Sequence, residues 1–463
     1  MNFPQVYACN LNKITRSGLK SIGSTDPEEL LIVNKYRFGA DMNTIDKLKF
    51  LKIVKRAKGE KDEVNLAEIE IHKCEGFIIK AKWSNMPLKL FMNATNVPTD
   101  IGGCCRLTPD WPGYEFHSNT EGSNDKNQTI MNGIQSGLML TLDLEKFDYG
   151  IILDSYGAKI GLPSPMDIPI MRDIGFDIKS GELTEVAMIP TVIETTDDAL
   201  SKFDPEDRGC YTTKEFDLRY RSSYSMNNCL YDAFLQKVID DCKCAYNFDK
   251  AVLARNPTIN GCGMKEKDLA CSETLVKQIG SKEMDFAMDE KSGKMKKCLS
   301  KCKTQHINII PTTLAYPADN FVTFKYHTET CLVMEKLTKI CTNKFKKELF
   351  EEYYEEDITC KELIVFHEKN SIPCDGISYF KPKIKNSNDT KVLKFYHKYS
   401  KENLAKVAIY FRDPYYTKIV RDVKMTFTTF ISIAGGLVGL CLGLSLVSLF
   451  ELLYHFLKFL FDF

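Results

Sequence analysis

Gly435, Gly439 and Gly443 recur every four residues near the C-terminus, so in a helix they share one face, and the last opens the tripeptide Gly443-Leu444-Ser445. The plainest chemistry of such a face is contact, because small residues at that interval let two helix backbones approach closely in lipid. Glu451 lies at the end of the same apolar run. An acid at the centre of a membrane helix costs about 2.5 to 3.5 kcal/mol, and snorkelling softens the cost near an end. Glu451 therefore reads either as a carboxylate lining a pore and concentrating cations, or as an interfacial acid beside Lys458.

The second group with chemistry is the cysteines. Of 17, all but Cys441 precede the C-terminal apolar run, several as close pairs such as Cys242/Cys244 and Cys298/Cys302. That usage suits an oxidised, extracellular disulfide framework. Thiolates at short spacing also bind zinc, but no histidine lies close enough to complete such a site, and no metal is expected. The 7 histidines are scattered and form no nucleophile elbow, zinc-protease or Cys-His signature. Glu351-Glu352 and Glu355-Glu356-Asp357 read as exposed helix charge or a weak cation site rather than as acid–base pairs. No enzymatic activity is expected. Lys+Arg and Asp+Glu both total 62, so no net field draws the chain to nucleic acid.

These residues need elements to hold them. Met425 to Phe450 carries no charge and is long enough for one membrane-spanning helix, at about 1.5 Å per residue against about 30 Å of hydrocarbon. Arg412, Lys418, Arg421 and Lys424 precede it, which runs against the positive-inside rule if the cysteine-rich part is outside; the disulfide argument outweighs the charge bias. Sequons at Asn93, Asn127 and Asn388 fit the same side. Met1-Asn2-Phe3-Pro4 is no signal peptide, so a translocating segment is expected upstream. Runs at Gly76–Lys80, Leu138–Leu142 and Val407–Phe411 read as strands; Asn227–Asp241 and Cys331–Tyr354 read as amphipathic helices. Mixed charge from Lys47 to Glu63 reads as a solvated face. The fold class is α+β.

Ala405-Lys-Val-Ala-Ile-Tyr-Phe411 followed by Ile433-Ala-Gly-Gly-Leu-Val-Gly-Leu-Cys-Leu-Gly-Leu-Ser-Leu-Val-Ser-Leu-Phe-Glu451 resembles the last palm strand and second membrane segment of degenerin/epithelial sodium channels. The resemblance implies that Gly443, Leu444 and Ser445 form the selectivity filter, that Gly439 is the amiloride-site glycine, and that Ser432 is the small degenerin residue controlling gating. It implies that Glu451 is the acid below the filter and that Tyr416 couples the wrist to the pore. Three copies of an unwound Gly-x-Ser turn would aim carbonyls at a central axis and replace part of a sodium ion's hydration shell. Such backbone is tolerable at membrane depth only where it lines a wet cavity.

Phe3-Pro4-Gln5-Val6-Tyr7-Ala8-Cys9-Asn10-Leu11-Asn12 is similar to the family's Phe-Pro-x-Val-x-x-Cys-Asn-x-Asn, which follows the first membrane helix. That helix, with its gating motif, is therefore expected ahead of Met1, making this a truncated subunit. The thumb cysteines match as well. By position the resemblance implies the pairs Cys210–Cys302, Cys229–Cys298, Cys242–Cys271 and Cys244–Cys262, with Cys9 joining Cys104 or Cys105 and the other pairing with Cys74. A fifth family rung would fall on Ala233 and Lys296, and both of its cysteines are absent. Cys331, Cys341, Cys360 and Cys374 align with nothing in the family; two extra local bridges are expected among them. Asp207 stands where acid-sensing members carry a wrist tryptophan, which argues against carrying over proton gating.

The expected architecture is a disulfide-rich extracellular domain of palm, β-ball, finger, thumb and knuckle plus one C-terminal membrane helix. In residues this is 1–20 the start of the palm, 21–134 the finger and neighbouring strands, 135–209 palm and β-ball, and 210–320 the thumb. Residues 321–395 would be the knuckle with an atypical insertion, 396–420 the last palm strand and wrist, and 421–463 the pore helix. The resemblance implies a subunit of a voltage-insensitive, amiloride-sensitive, sodium-selective channel at the plasma membrane, gated by force or an extracellular ligand. Residues before about 421 would be outside and the C-terminal end cytoplasmic. The partners implied are related subunits in a homo- or heterotrimer, the lipid bilayer, and an extracellular ligand or matrix, with no cofactor beyond the permeant sodium ion. The alternative is a single-pass disulfide-rich glycoprotein acting as a receptor or a non-conducting modulatory subunit.

Overall fold

The computed structural model describes residues 3–12, 15–21, 28–29, 31–33, 43–57, 73–84, 86–87, 94–107, 132–150, 155–164, 167–221, 223–245, 259–262, 266–278, 285–317, 328–370, 386–443 and 445–461. Two sheets carry the fold. The smaller holds β1 (Val6–Asn10), β4 (Ala94–Thr99), β5 (Gly102–Leu107), β7 (Ala158–Gly161) and β8 (Gly175–Ile178), in the order β4-β5-β1-β7-β8. The larger holds β2 (Ile78–Trp83), β3 (Met86–Pro87), β6 (Leu138–Asp143), β9 (Glu182–Thr195), β10 (Lys303–Ala315), β11 (Leu404–Phe411) and β12 (Thr417–Arg421). Its order is β10-β9-β11-β6-β2-β3, with β12 also on β9.

The apolar pattern places these strands. β11 reads Leu-Ala-Lys-Val-Ala-Ile-Tyr-Phe and is buried almost throughout, as a central strand between β6 and β9 must be. Leu138, Leu140 and Leu142 of β6 and Val6 and Ala8 of β1 share one core, so the two sheets pack on each other. Phe3 closes its edge, with its ring 4.6 Å from Trp83 and 5.8 Å from Phe411. The strand expected at Gly76–Lys80 begins later, because Cys74–Phe77 forms one helical turn before β2. The Lys336 ammonium reaches the Gly76 carbonyl there, and a Cβ on Gly76 would stand 3.3 Å from it.

The helix α1 (Met226–Cys242) covers the Asn227–Asp241 expectation and starts at Ser225, whose hydroxyl accepts from the Asn228 amide at 3.1 Å. A second helix, α2 (Glu266–Gln278), lies beside it. The helix expected at Cys331–Tyr354 is two, α3 (Thr328–Thr342) and α4 (Lys344–Tyr353). Asn343 divides them by capping α4, its side chain accepting from the Phe345 and Lys346 amides at 3.1 Å. With α5 (Cys360–Asn370) and α6 (Ser387–Asn403) they build a second core around Leu337, Phe350, Phe366 and Tyr399.

A buried charge cluster joins this helical layer to the large sheet. Glu145, in the left-handed region at φ 48°, meets Lys336 and Lys346 at 2.5 Å each. Asp143 accepts from the Tyr399 hydroxyl at 3.0 Å, and Asp148 from the Ser17 amide at 2.7 Å. Burial pushes the Asp143 carboxyl up, with Lys336 opposing.

Candidate functional site

The apolar C-terminal run folds as two helices in series, not the single one its length suggested. These are α7 (Phe427–Leu442), capped by Thr426, and α8 (Leu446–Phe461). No helix among the described residues is long and apolar enough to cross a membrane. The break has a local cause: Gly443 ends α7 at φ 65° and ψ 13°, a left-handed conformation that glycine adopts without the Cβ penalty. Ser445 then starts α8, its hydroxyl accepting from the Ser448 amide at 3.2 Å and its carbonyl from the Leu449 amide at 3.1 Å. Leu444 lies outside the described residues. Ser432 and Gly439 lie on α7 and Glu451 on α8, with Ser432 and Glu451 exposed in the single chain.

What holds α7 to the folded part is β9. This strand of 14 residues pairs in parallel first with β11, up to Phe411 against Met188, and then with β12, from Thr417 against Thr191. The chain thus leaves the core along one strand and continues toward α7 on the same edge. Tyr416 sits just before β12 and is half exposed.

Three residues at and just past the far end of β9 gather the Cys210–Cys302 bridge and the linker. Glu194 lies between Lys418 of β12 at 2.7 Å and Lys303 of β10 at 3.1 Å. Hydrogen bonds from Lys418 and then Lys303 hold its carboxyl below the usual range, and Glu194 raises Lys418 in return. The Thr195 amide donates to the Cys302 carbonyl at 2.9 Å, within the Cys210–Cys302 bridge. The Thr196 hydroxyl donates to Asp422 at 2.7 Å, and its amide to the Arg421 carbonyl at 3.0 Å. Sequence reading missed these partners. Thr196-Asp197-Asp198 signals a helix start, which the structure has, but nothing local names Asp422.

Seven disulfides have both ends among the described residues: Cys9–Cys104, Cys74–Cys105, Cys210–Cys302, Cys229–Cys298, Cys242–Cys271, Cys244–Cys262 and Cys341–Cys360. Cys331 is disulfide-bonded too, and Cys374 lies outside the described residues. A profile of the amiloride-sensitive sodium channel family matches residues 1–455.

The chain belongs to the amiloride-sensitive sodium channel family. Pickpocket protein 28 of Drosophila melanogaster is 22% identical over 61% of this chain and 49% of that protein. The epithelial sodium channel subunit gamma of Neoceratodus forsteri is 34% identical over 29% of this chain and 20% of its own length. The beta subunit of Xenopus laevis is 21% identical over 55% of this chain and 36% of its own. The chain spans about half the length of these relatives or less.

Neither of the positions where the resemblance puts a fifth rung, Ala233 and Lys296, is a cysteine. Ala233 is buried beside Cys229 and Cys298, and Lys296 pairs with Asp289 at 2.6 Å. Burial pushes the Asp289 carboxyl up, but Lys296, the Ser292 hydroxyl and the Asp217 amide outweigh it and hold it at about 2. Of the sequons, Asn388 is exposed in the first turn of α6, while Asn93 and Asn127 lie outside the described residues. Three of the five acids at 351–357 have structural partners: Glu351 accepts from the Cys360 amide, Glu352 pairs with Arg16, and Asp357 pairs with Lys398. Among the described residues no group of three His, Cys, Asp or Glu side chains could hold a metal.

Proposed function

We propose that the chain is a subunit of a voltage-insensitive, amiloride-sensitive, sodium-selective cation channel, assembled as a trimer with itself or related subunits. The observation that carries this reading is the break between α7 and α8 on the Gly443-to-Ser445 tripeptide. Three such breaks around an axis would present carbonyls to a partly dehydrated sodium ion, with Gly439 above and Glu451 below. The two helices in series together cross the plasma membrane, with the disulfide-rich part outside and Phe461 toward the cytoplasm. By the resemblance, the larger sheet with its strand Leu404–Phe411 is the palm, the Cys210–Cys302 region the thumb, and helices α3 to α5 the knuckle.

Gating follows the same geometry. A force or ligand that displaces the thumb acts on Thr195 and Glu194, and through Asp422 and Lys418 on the linker that opens α7. The test is current from the full-length subunit in oocytes, alone and with related subunits. Amiloride-sensitive sodium current is expected, with Ser445→Cys altering the sodium-to-potassium permeability ratio and Ser432→Phe raising the resting current. Unchanged permeability and unchanged resting current in both variants would remove the filter assignment. No current in any combination would leave the receptor or modulatory role.

A further inference from the structure

The helix α8 confines its charged, histidine and serine residues to one seam. At about 100° per residue, Ser448, Glu451, His455 and Lys458 fall within an arc of about 80°, and the rest of the surface is Leu, Val, Phe and Tyr. In lipid such a seam turns away from the acyl chains toward protein or water. Glu451 and His455 are one turn apart, which puts their Cβ atoms about 5–6 Å from each other on adjoining positions. The Tyr454 ring stands 5.5 Å from the His455 imidazole at 72°, an edge contact that limits how the imidazole can turn.

The channel reading above supplies the remaining geometry, and the inference rests on it. With three copies around the axis, His455 lies about 15 Å below Ser445 and three imidazoles converge, each with a carboxylate one turn above. A sodium ion has little affinity for imidazole, whereas zinc and its neighbours in the first transition row prefer it, and three histidines with an open fourth position are a recurrent zinc arrangement. A single copy brings no three such ligands together among its described residues, so the site exists only in the assembly. We propose that His455, aided by Glu451, forms an inner-mouth site for a divalent transition-metal cation of the zinc class, which occludes sodium flow from the cytoplasmic side. Lys458, on the next turn, has a long stem that lets its ammonium swing toward the headgroups and away from the bound ion.

Titration calorimetry of the purified full-length subunit with zinc chloride tests this directly, with calcium chloride as the control cation. The expected result is about one zinc ion per three chains at a site that His455→Ala removes and Glu451→Gln weakens by roughly tenfold. Zinc chloride on the inner face of excised patches should block current in the wild type and not in His455→Ala. Zinc binding that His455→Ala leaves unchanged, or sodium current that inner-face zinc does not touch, overturns the proposal while leaving the channel reading intact. Binding at one third of an ion per chain that depends on His455, without any current, upholds the site and counts against the channel reading.

Discussion

The Thr196 hydroxyl and the Asp422 carboxylate are 226 residues apart in sequence and 2.7 Å apart in space. Through them the end of β9 holds the linker just ahead of the Thr426 cap of α7. The pair is exposed, so its weight in overall stability is small. Its effect should fall on gating. Asp422→Asn and Thr196→Val are expected to shift the stimulus dependence of the current while thermal unfolding stays near wild type. Wild-type gating in both variants would show that this contact does not transmit.

Gly443→Ala tests the helix break. The native φ of 65° places an alanine in the left-handed region, which costs about 1 kcal/mol, although no atom lies within 4 Å of the added Cβ. The penalty favours joining α7 and α8 into one helix. Loss of sodium current, or loss of sodium-over-potassium preference, is the expected reading from bi-ionic reversal potentials. Full current with unaltered selectivity would sever the left-handed turn from permeation.

Asp289 gives a pH prediction. Its folded value of about 2 lies below the ordinary 3.8, so its contribution is present above 3.8 and lost as pH falls through about 2. The difference amounts to about 2 kcal/mol. Unfolding followed against pH should show this slope in the wild type, and Asp289→Asn should flatten it and lower stability at neutral pH. An identical acid slope in the variant would shift the effect to other carboxylates.

The buried cluster around Glu145 makes the largest stability prediction. Glu145→Ala leaves the buried Lys336 and the half-buried Lys346 against less negative charge, at a cost of about 3 kcal/mol. Denaturant unfolding of the purified protein should register it. The paired Glu145→Met, Lys336→Met variant should recover part of the loss, since apolar groups of similar volume can replace a buried ion pair. No loss in the single variant would mean that water reaches the cluster.

The amino-acid sequence alone determined the strand at Leu138–Leu142 and the strand ending at Phe411, whose nearly continuous apolar runs suit central strands, and the helix before Cys242, from its amphipathic spacing. The family resemblance marked the tripeptide at Gly443, where glycine permits the left-handed turn that ends α7. Position within the chain left open which of Cys104 and Cys105 joins Cys9. Only the pairing of β1 with β5 decided that: Ala8 faces Cys105 in register, so Cys9 comes opposite Cys104 one step on. Successive side chains on a strand point to opposite faces, which turns Cys105 toward Cys74 at the head of β2. The same limit hid Asp422 from Thr196 and Lys418 from Glu194. A residue's partner across a sheet is set by strand order and register, and these arise from packing the whole apolar surface rather than from any local run.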